Sequence, residues 1–199
     1  MNNIHTIGDS HSKFGWDGIS IVHHLGPILA YSFGKNPCRL DIKSLRIRDG
    51  DTIIFCFGEI DCRCHVNKFI TDKKSFEMII DNIVENYVDA IITCTRDLMN
   101  CKICVYNIVP PVKKTETKEN PLYPFIGSDA ERKTYVEYFN MRLREVCRCK
   151  NIYFIDVYEK YCDDDGFLNK CYSDGHVHIK DGNFIREAIR YILNSKHEQ

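Results

Sequence analysis

Two alternating patterns constrain this chain more than anything else in its sequence. Apolar, β-rich runs at Ile4–Gly8, Ile19–Leu25, Thr52–Phe57, Ile103–Val109 and Ile152–Val157 are separated by stretches with helical periodicity. Several of these runs are continuously apolar, as strands buried on both faces of a parallel sheet must be. The clearest helix is predicted over Ser75–Met99, where Phe76, Ile79, Ile80, Ile83, Val84, Tyr87, Val88, Ile91 and Ile92 recur at i, i+3, i+4 spacing. Ser75 is placed to cap it. A second helix is predicted over Asp129–Cys149, introduced by Ser128 with Glu131 three residues on, a capping box. A third covers about Asp181–Asn194. Strands alternating with helices predict a three-layer α/β/α domain around a parallel sheet of about five strands. With 199 residues, the chain holds one such domain, 1–199, and not two.

Composition narrows the partners. The formal net charge is -1, so no basic field is available to hold a nucleic-acid backbone. No apolar run approaches the ~20 residues a membrane helix needs, and Met1-Asn2-Asn3 leads into a strand without a basic-apolar leader. A cytoplasmic chain is expected, free of nucleic acid and membrane; the oligomeric state is left open. The cysteine count is 11, an odd number in a chain of this size, which favours reduced thiols over a disulfide framework.

Two segments from opposite ends of the chain carry chemistry. Gly8-Asp9-Ser10-His11-Ser12 follows the first apolar run, and Asp174-Gly175-His176-Val177-His178 precedes the last helix. A serine hydroxyl is a poor nucleophile until a histidine takes its proton and a carboxylate holds that imidazole. It also needs N–H donors at the developing oxyanion. In an open α/β sheet such groups converge beyond the carboxyl ends of the strands. There Ser10 meets Gly26 after the second run, Gly58-Glu59-Ile60-Asp61 after the third, and the Asp174–His178 segment. His11 reads as a supporting or exposed neighbour of Ser10.

This ordered set resembles the SGNH/GDSL hydrolase superfamily over most of the chain. Gly8-Asp9-Ser10 matches its first block, and Asp174 to His178, continued by Ile179-Lys180-Asp181-Gly182-Asn183, is similar to its Asp-x-x-His followed by a Gly-containing helix start. The resemblance implies a flavodoxin-like fold, Ser10 as nucleophile of an ester, and Asp174 with a histidine completing the triad. It implies oxyanion donors at Ser10 and Gly26, with Gly58, Glu59, Asp61 and Arg63 as further oxyanion or substrate-binding positions. The chain departs from the family twice. Ile60 stands where the family's third-block asparagine is expected, and the loss of such a donor costs ~10²–10³ in turnover. Asp174 to His178 is one residue longer than Asp-x-x-His, and Asp174 to His176 one shorter. His178 is the favoured base, with His176 the alternative. Arg63 and Glu59 are placed to reshape the third block; an Asp61–Arg63 ion pair is the structural alternative.

Other readings compete. Cys62, Cys64 and His65, with Cys56 upstream, have ligand types that suit zinc, but the Cys-x-Cys-His spacing lacks a matching second pair. No metal and no organic cofactor is expected. The connection Pro110–Gly127, with four prolines, has the length of a lid or binding loop, on which Tyr123 and Phe125 are candidate substrate contacts. The expected activity is a serine esterase removing a small acyl group, such as acetyl, from a carbohydrate or small-molecule ester. An O-acetyltransferase using the same serine and a non-catalytic carbohydrate-binding or interaction module are the alternatives.

Overall fold

A computed structural model describes residues 2–37 and 40–194. In chain order the elements are β1 (Ile4–Gly8), β2 (Ile21–His24), α1 (Ala30–Lys35), β3 (Thr52–Cys56), α2 (Phe76–Thr95), β4 (Lys102–Tyr106), α3 (Asp129–Cys149), β5 (Tyr153–Ile155), α4 (Tyr158–Tyr161) and α5 (Asn183–Asn194). The five strands form one sheet in the order β2-β1-β3-β4-β5. Every pairing is parallel. This is the flavodoxin-like order, and its switch point lies between β1 and β3.

Each face of the sheet carries its own core. Ile7, Ile53, Phe55 and Val105 pack with residues of α1, α2 and α3, among them Phe33, Tyr87 and Phe139. Ile54, Cys56, Cys104 and Tyr106 pack on the other face with Ile185, Ile189 and Ile192 of α5. Consecutive residues of β3 thus point into different cores, and all five are buried. That is why the run is apolar without alternation.

Local chemistry sets most element ends. Ser128 Oγ accepts the Glu131 N–H and Glu131 accepts the Ser128 N–H, so the predicted capping box opens α3 at its expected residue. Ser75 Oγ accepts the Met78 N–H at 3.4 Å at the start of α2. The chain leaves α2 at Thr95, four residues earlier than expected, and turns through Asn100 in the left-handed region. α5 starts at Asn183, two residues later than expected; its first N–H donates to the Asp181 carboxylate. β2 is shorter than predicted because it is an edge strand, with Ile21 and Val22 exposed. The short helices α1 and α4 have too few turns to show in the periodicity.

Candidate active site

The site forms where β1 and β3 end. Gly8 closes β1 against β3, and a Cβ there would lie 2.1 Å from the Cys56 carbonyl oxygen, so only glycine lets the strands approach. Asp9 then caps a 3-10 turn over Ser10–Ser12, its carboxylate accepting the His11 N–H. The turn presents Ser10 at the mouth of the switch point. Its own N–H is the first of that turn, where no intrahelical acceptor exists.

The segment before α5 delivers the partners. Ser173 and Ile179 bridge antiparallel, and the Asp174 N–H donates to the His178 carbonyl at 3.0 Å, closing a tight loop. Asp174 Oδ1 accepts the N–H groups of His176 and His178 at 2.8 and 3.3 Å. Gly175 takes the left-handed conformation at the tip of this Asp-x-x-x-His loop. As a result Asp174 Oδ2 lies 2.9 Å from His178 Nδ1, and His178 Nε2 lies 2.9 Å from Ser10 Oγ. His176 sits exposed at the cavity wall, with its backbone N–H holding Asp174.

Electrostatics orders these groups. Burial lowers the proton affinity of His178, the neighbouring His11 pushes the same way, and Asp174 opposes them; the net is below the ordinary histidine value. Burial would raise Asp174, but the His178 ring and the two loop N–H groups outweigh it and hold the carboxyl below its usual range. The imidazole is therefore neutral and the carboxylate charged at neutral pH, the pairing a general base requires. The Phe14 ring stacks on His178 with centroids 4.1 Å apart.

A cavity of about 590 Å³ opens beside Ser10 and His178, lined also by His24, Pro27, Ile60, Arg63 and the 117–125 connection, including Tyr123 and Phe125. Gly26, in the left-handed conformation, lies between the wall residues His24 and Pro27. The third block divides. Ile60 and Arg63 reach the cavity, whereas Gly58, Glu59 and Asp61 build the frame. Gly58 turns the chain at φ +121 against Ile108 and Phe139. Asp61 is fully buried and accepts the N–H groups of Ala30 and Tyr31 at 2.7 and 3.1 Å, capping α1. Burial raises its carboxyl to about 7, against the pull of those two donors. The Asp61–Arg63 ion pair, the structural alternative for these residues, does not form. Arg63 instead forks onto Glu59, four residues earlier on the same face of the turn.

His11, read from sequence as a supporting or exposed neighbour of Ser10, is buried, and its ring bridges Asp9 and the Val177 carbonyl, each at 3.1 Å. A histidine next to the nucleophile and two residues after an aspartate is the available signal. Cys56, Cys62 and Cys64 are buried free thiols, each pushed above the ordinary thiol value mainly by burial. Among the described residues no group of three or more His, Cys, Asp or Glu is arranged to hold a metal ion.

No family model matches the chain, and no curated protein matches its sequence. Solved structures do match, and they show the fold, one shared by proteins described as GDSL-like lipases, acylhydrolases and esterases. A GDSL-like lipase from Bacteroides thetaiotaomicron superposes with a TM-score of 0.64 at 13% identity, over 96% of this chain and 86% of its own. The aryl esterase of M. smegmatis gives 0.61 at 15% identity, over 97% and 100%. A catalytic mutant of an acetylxylan esterase from Geobacillus stearothermophilus gives 0.59 at 12% identity, over 98% and 97%. At these identities the likeness is one of fold.

Proposed function

We propose that this protein is a serine esterase that removes a small acyl group, such as acetyl, from a carbohydrate or small-molecule ester. The observation that carries this reading is the unbroken chain Asp174–His178–Ser10, with both links at 2.9 Å. His178 Nε2 takes the Ser10 proton as Oγ attacks the ester carbonyl. Asp174 holds the Nδ1–H tautomer and stabilises the imidazolium that results. The N–H groups of Ser10 and Gly26 receive the oxyanion. His178 returns the proton to the leaving alcohol, an acyl-serine forms, and water releases the acid by the same steps in reverse.

The size of the cavity supports a small substrate. Its volume of about 590 Å³ falls within the roughly 300–1,000 Å³ of small-molecule sites. Thr117, Lys118, Glu119 and Asn120 line it together with Tyr123 and Phe125, a mixture of hydrogen-bonding and aromatic groups suited to a sugar ring. The acetylxylan esterase among the proteins that share the fold fits the same substrate class.

Hydrolysis of p-nitrophenyl acetate by the parent chain and by Ser10→Ala, His178→Ala and His176→Ala tests the assignment. Loss with Ser10 and His178 but retention with His176 is the expected pattern. Activity surviving Ser10→Ala refutes the acyl-serine, and no activity above that variant's background moves the weight to acyl transfer or binding.

A further inference from the structure

The turn bearing Ser10 and the loop bearing His178 lie 168 residues apart in sequence, and His11 ties them together. Its Nδ1 is 3.1 Å from Asp9 Oδ1 and its Nε2 is 3.1 Å from the Val177 carbonyl oxygen. A carbonyl oxygen only accepts, and so does an ionised carboxylate. A neutral imidazole has one N–H for these two acceptors, whereas an imidazolium has two. Asp9 is fully buried, and its Oδ2 has no hydrogen-bond partner among the described residues. A carboxylate so placed is costly unless a cation is bonded to it, and the ring touching it is His11.

We propose that His11 is a cationic clamp. Doubly protonated, it fastens Val177, and with it the loop holding Asp174 and His178, to the turn holding Ser10. The loss of one proton from His11 frees one end of the clamp and uncouples base from nucleophile. His11 is thus a positioning residue, and its part in turnover rests on the esterase reading above.

The surrounding charges favour the cation. Asp9 faces the ring from its own turn, Glu59 from the segment after β3, and His178 from the loop before α5. Burial of the ring opposes its charge, but Asp9, Glu59 and the Val177 carbonyl outweigh that and raise His11 to about 8. The His11 and His178 ring centroids are 5.1 Å apart, and His178 is held low. The two rings therefore titrate in sequence. His178 becomes a free base first, and His11 lets go later. Activity is confined to the pH window between the two events, unlike a bare Ser-His-Asp triad, whose rate stays level once the base is neutral.

Two measurements on the intact chain test this. Long-range ¹H–¹⁵N spectra of the histidine rings are expected to show both His11 nitrogens protonated at pH 7, with one proton lost near pH 8 and the Val177 amide shifting at the same midpoint. The rate on p-nitrophenyl acetate, corrected for spontaneous hydrolysis, is expected to fall roughly tenfold on the alkaline side as the loop slips. His11→Gln places an uncharged donor towards Val177 and removes that alkaline fall. His11→Asn reaches Asp9 but not Val177, and lowers the rate at every pH by more than His11→Gln does. A neutral His11 ring at pH 7, as in an Asp9–His11 pair sharing one proton, overturns the proposal, and so does an alkaline fall that persists in His11→Gln. If the chain cleaves no ester, the esterase reading fails, while the ring spectra and the Val177 shift still decide the clamp.

Discussion

Replacing Glu59 by Gln probes the third block, whose Glu59–Arg63 pair stands beside the cavity. The Glu59 and Arg63 side chains are 9% and 10% exposed. Their forked contact runs from Nε to Oε1 at 2.7 Å and from Nη2 to Oε2 at 3.0 Å. Arg63 raises the cost of losing its partner because the same guanidinium donates to the Tyr123 carbonyl. Glu59→Gln preserves the shape and one acceptor but leaves the guanidinium without a counter-charge. Breaking a pair of this burial costs about 3–5 kcal/mol, and the retained amide contact places Gln near the lower end. For a domain of about 150–250 residues each kcal/mol moves Tm by about 2–4 °C, so a fall of about 6–12 °C is expected. Thermal unfolding of the parent and Glu59→Gln reads this loss, and the parent with Glu59→Met, Arg63→Met and Glu59→Met/Arg63→Met closes the cycle. The double variant is expected to recover most of the loss, because an apolar pair of similar volume carries no desolvation debt. A single variant within about 1 kcal/mol of the parent, or strictly additive losses, would show that the pair behaves as an exposed one and would refute the reasoning. The Arg63 carbonyl accepts the Ile126 N–H at 3.0 Å. Glu59→Gln should therefore also loosen the wall of the cavity and raise KM more than it lowers kcat.

Four further outcomes are expected. His11 is raised from 6.5 to about 8 in the folded chain, so its stabilising contribution is complete below about pH 6.5 and is lost as pH rises through 8. The difference is about 2 kcal/mol, and urea unfolding at pH 6 and pH 9 would read it; Asp61, raised to about 7, acts in the same direction, so His11→Gln serves as the control. Asp174→Asn leaves His178 without a partner that selects its tautomer, and kcat should drop by about 10³–10⁴ while the melting temperature moves little. Ile60→Asn restores an amide at a buried cavity wall; a gain in kcat of roughly tenfold or more is expected, and an unchanged kcat would show that the oxyanion is served elsewhere. A Cβ at residue 182 would lie 1.9 Å from the Gly15 carbonyl oxygen. Gly182→Ala should therefore cost about 3 kcal/mol or more, read by thermal melting.

What the sequence revealed, and what it hid, divides by the range of the forces involved. The strand runs, the long helices and the α3 capping box were legible because burial period and capping act within a few residues, and the structure keeps them within one or two positions at most ends. α1 was illegible for the opposite reason. Its N-cap position, Leu29, contributes no side-chain hydrogen bond, and the helix is started by the Asp61 carboxylate, some 30 residues away in sequence. The same carboxylate shows what the residue types of the third block left open. That block places Gly58, Glu59, Ile60 and Asp61 in a row with Arg63 two residues on, but a row of side chains on a tight turn points in several directions. Ile60 and Arg63 face the cavity, Gly58 faces the core, and Asp61 faces a helix end. Only the folded turn distinguishes these, since nothing in the residue types does.

The two ends of the chain show a subtler limit. Asp174 and His178 stood one residue beyond the expected spacing, and from sequence that counted against them. The count was the wrong variable. A hydrogen bond from Asp174 Oδ2 to His178 Nδ1 depends on where the loop brings two atoms, and a left-handed glycine lets a loop take up an extra residue with no change at its ends. The loop is then held by groups that belong to neither motif's pattern: the His176 N–H on Asp174, and the His11 ring on Val177. A nucleophile and a base drawn from opposite ends of a chain need such ties, because the strand pairings that position Ser10 do not reach the loop before α5. His11 provides one within the first block itself, one residue from the nucleophile, so a single short segment supplies both the attacking oxygen and the fastening for its base.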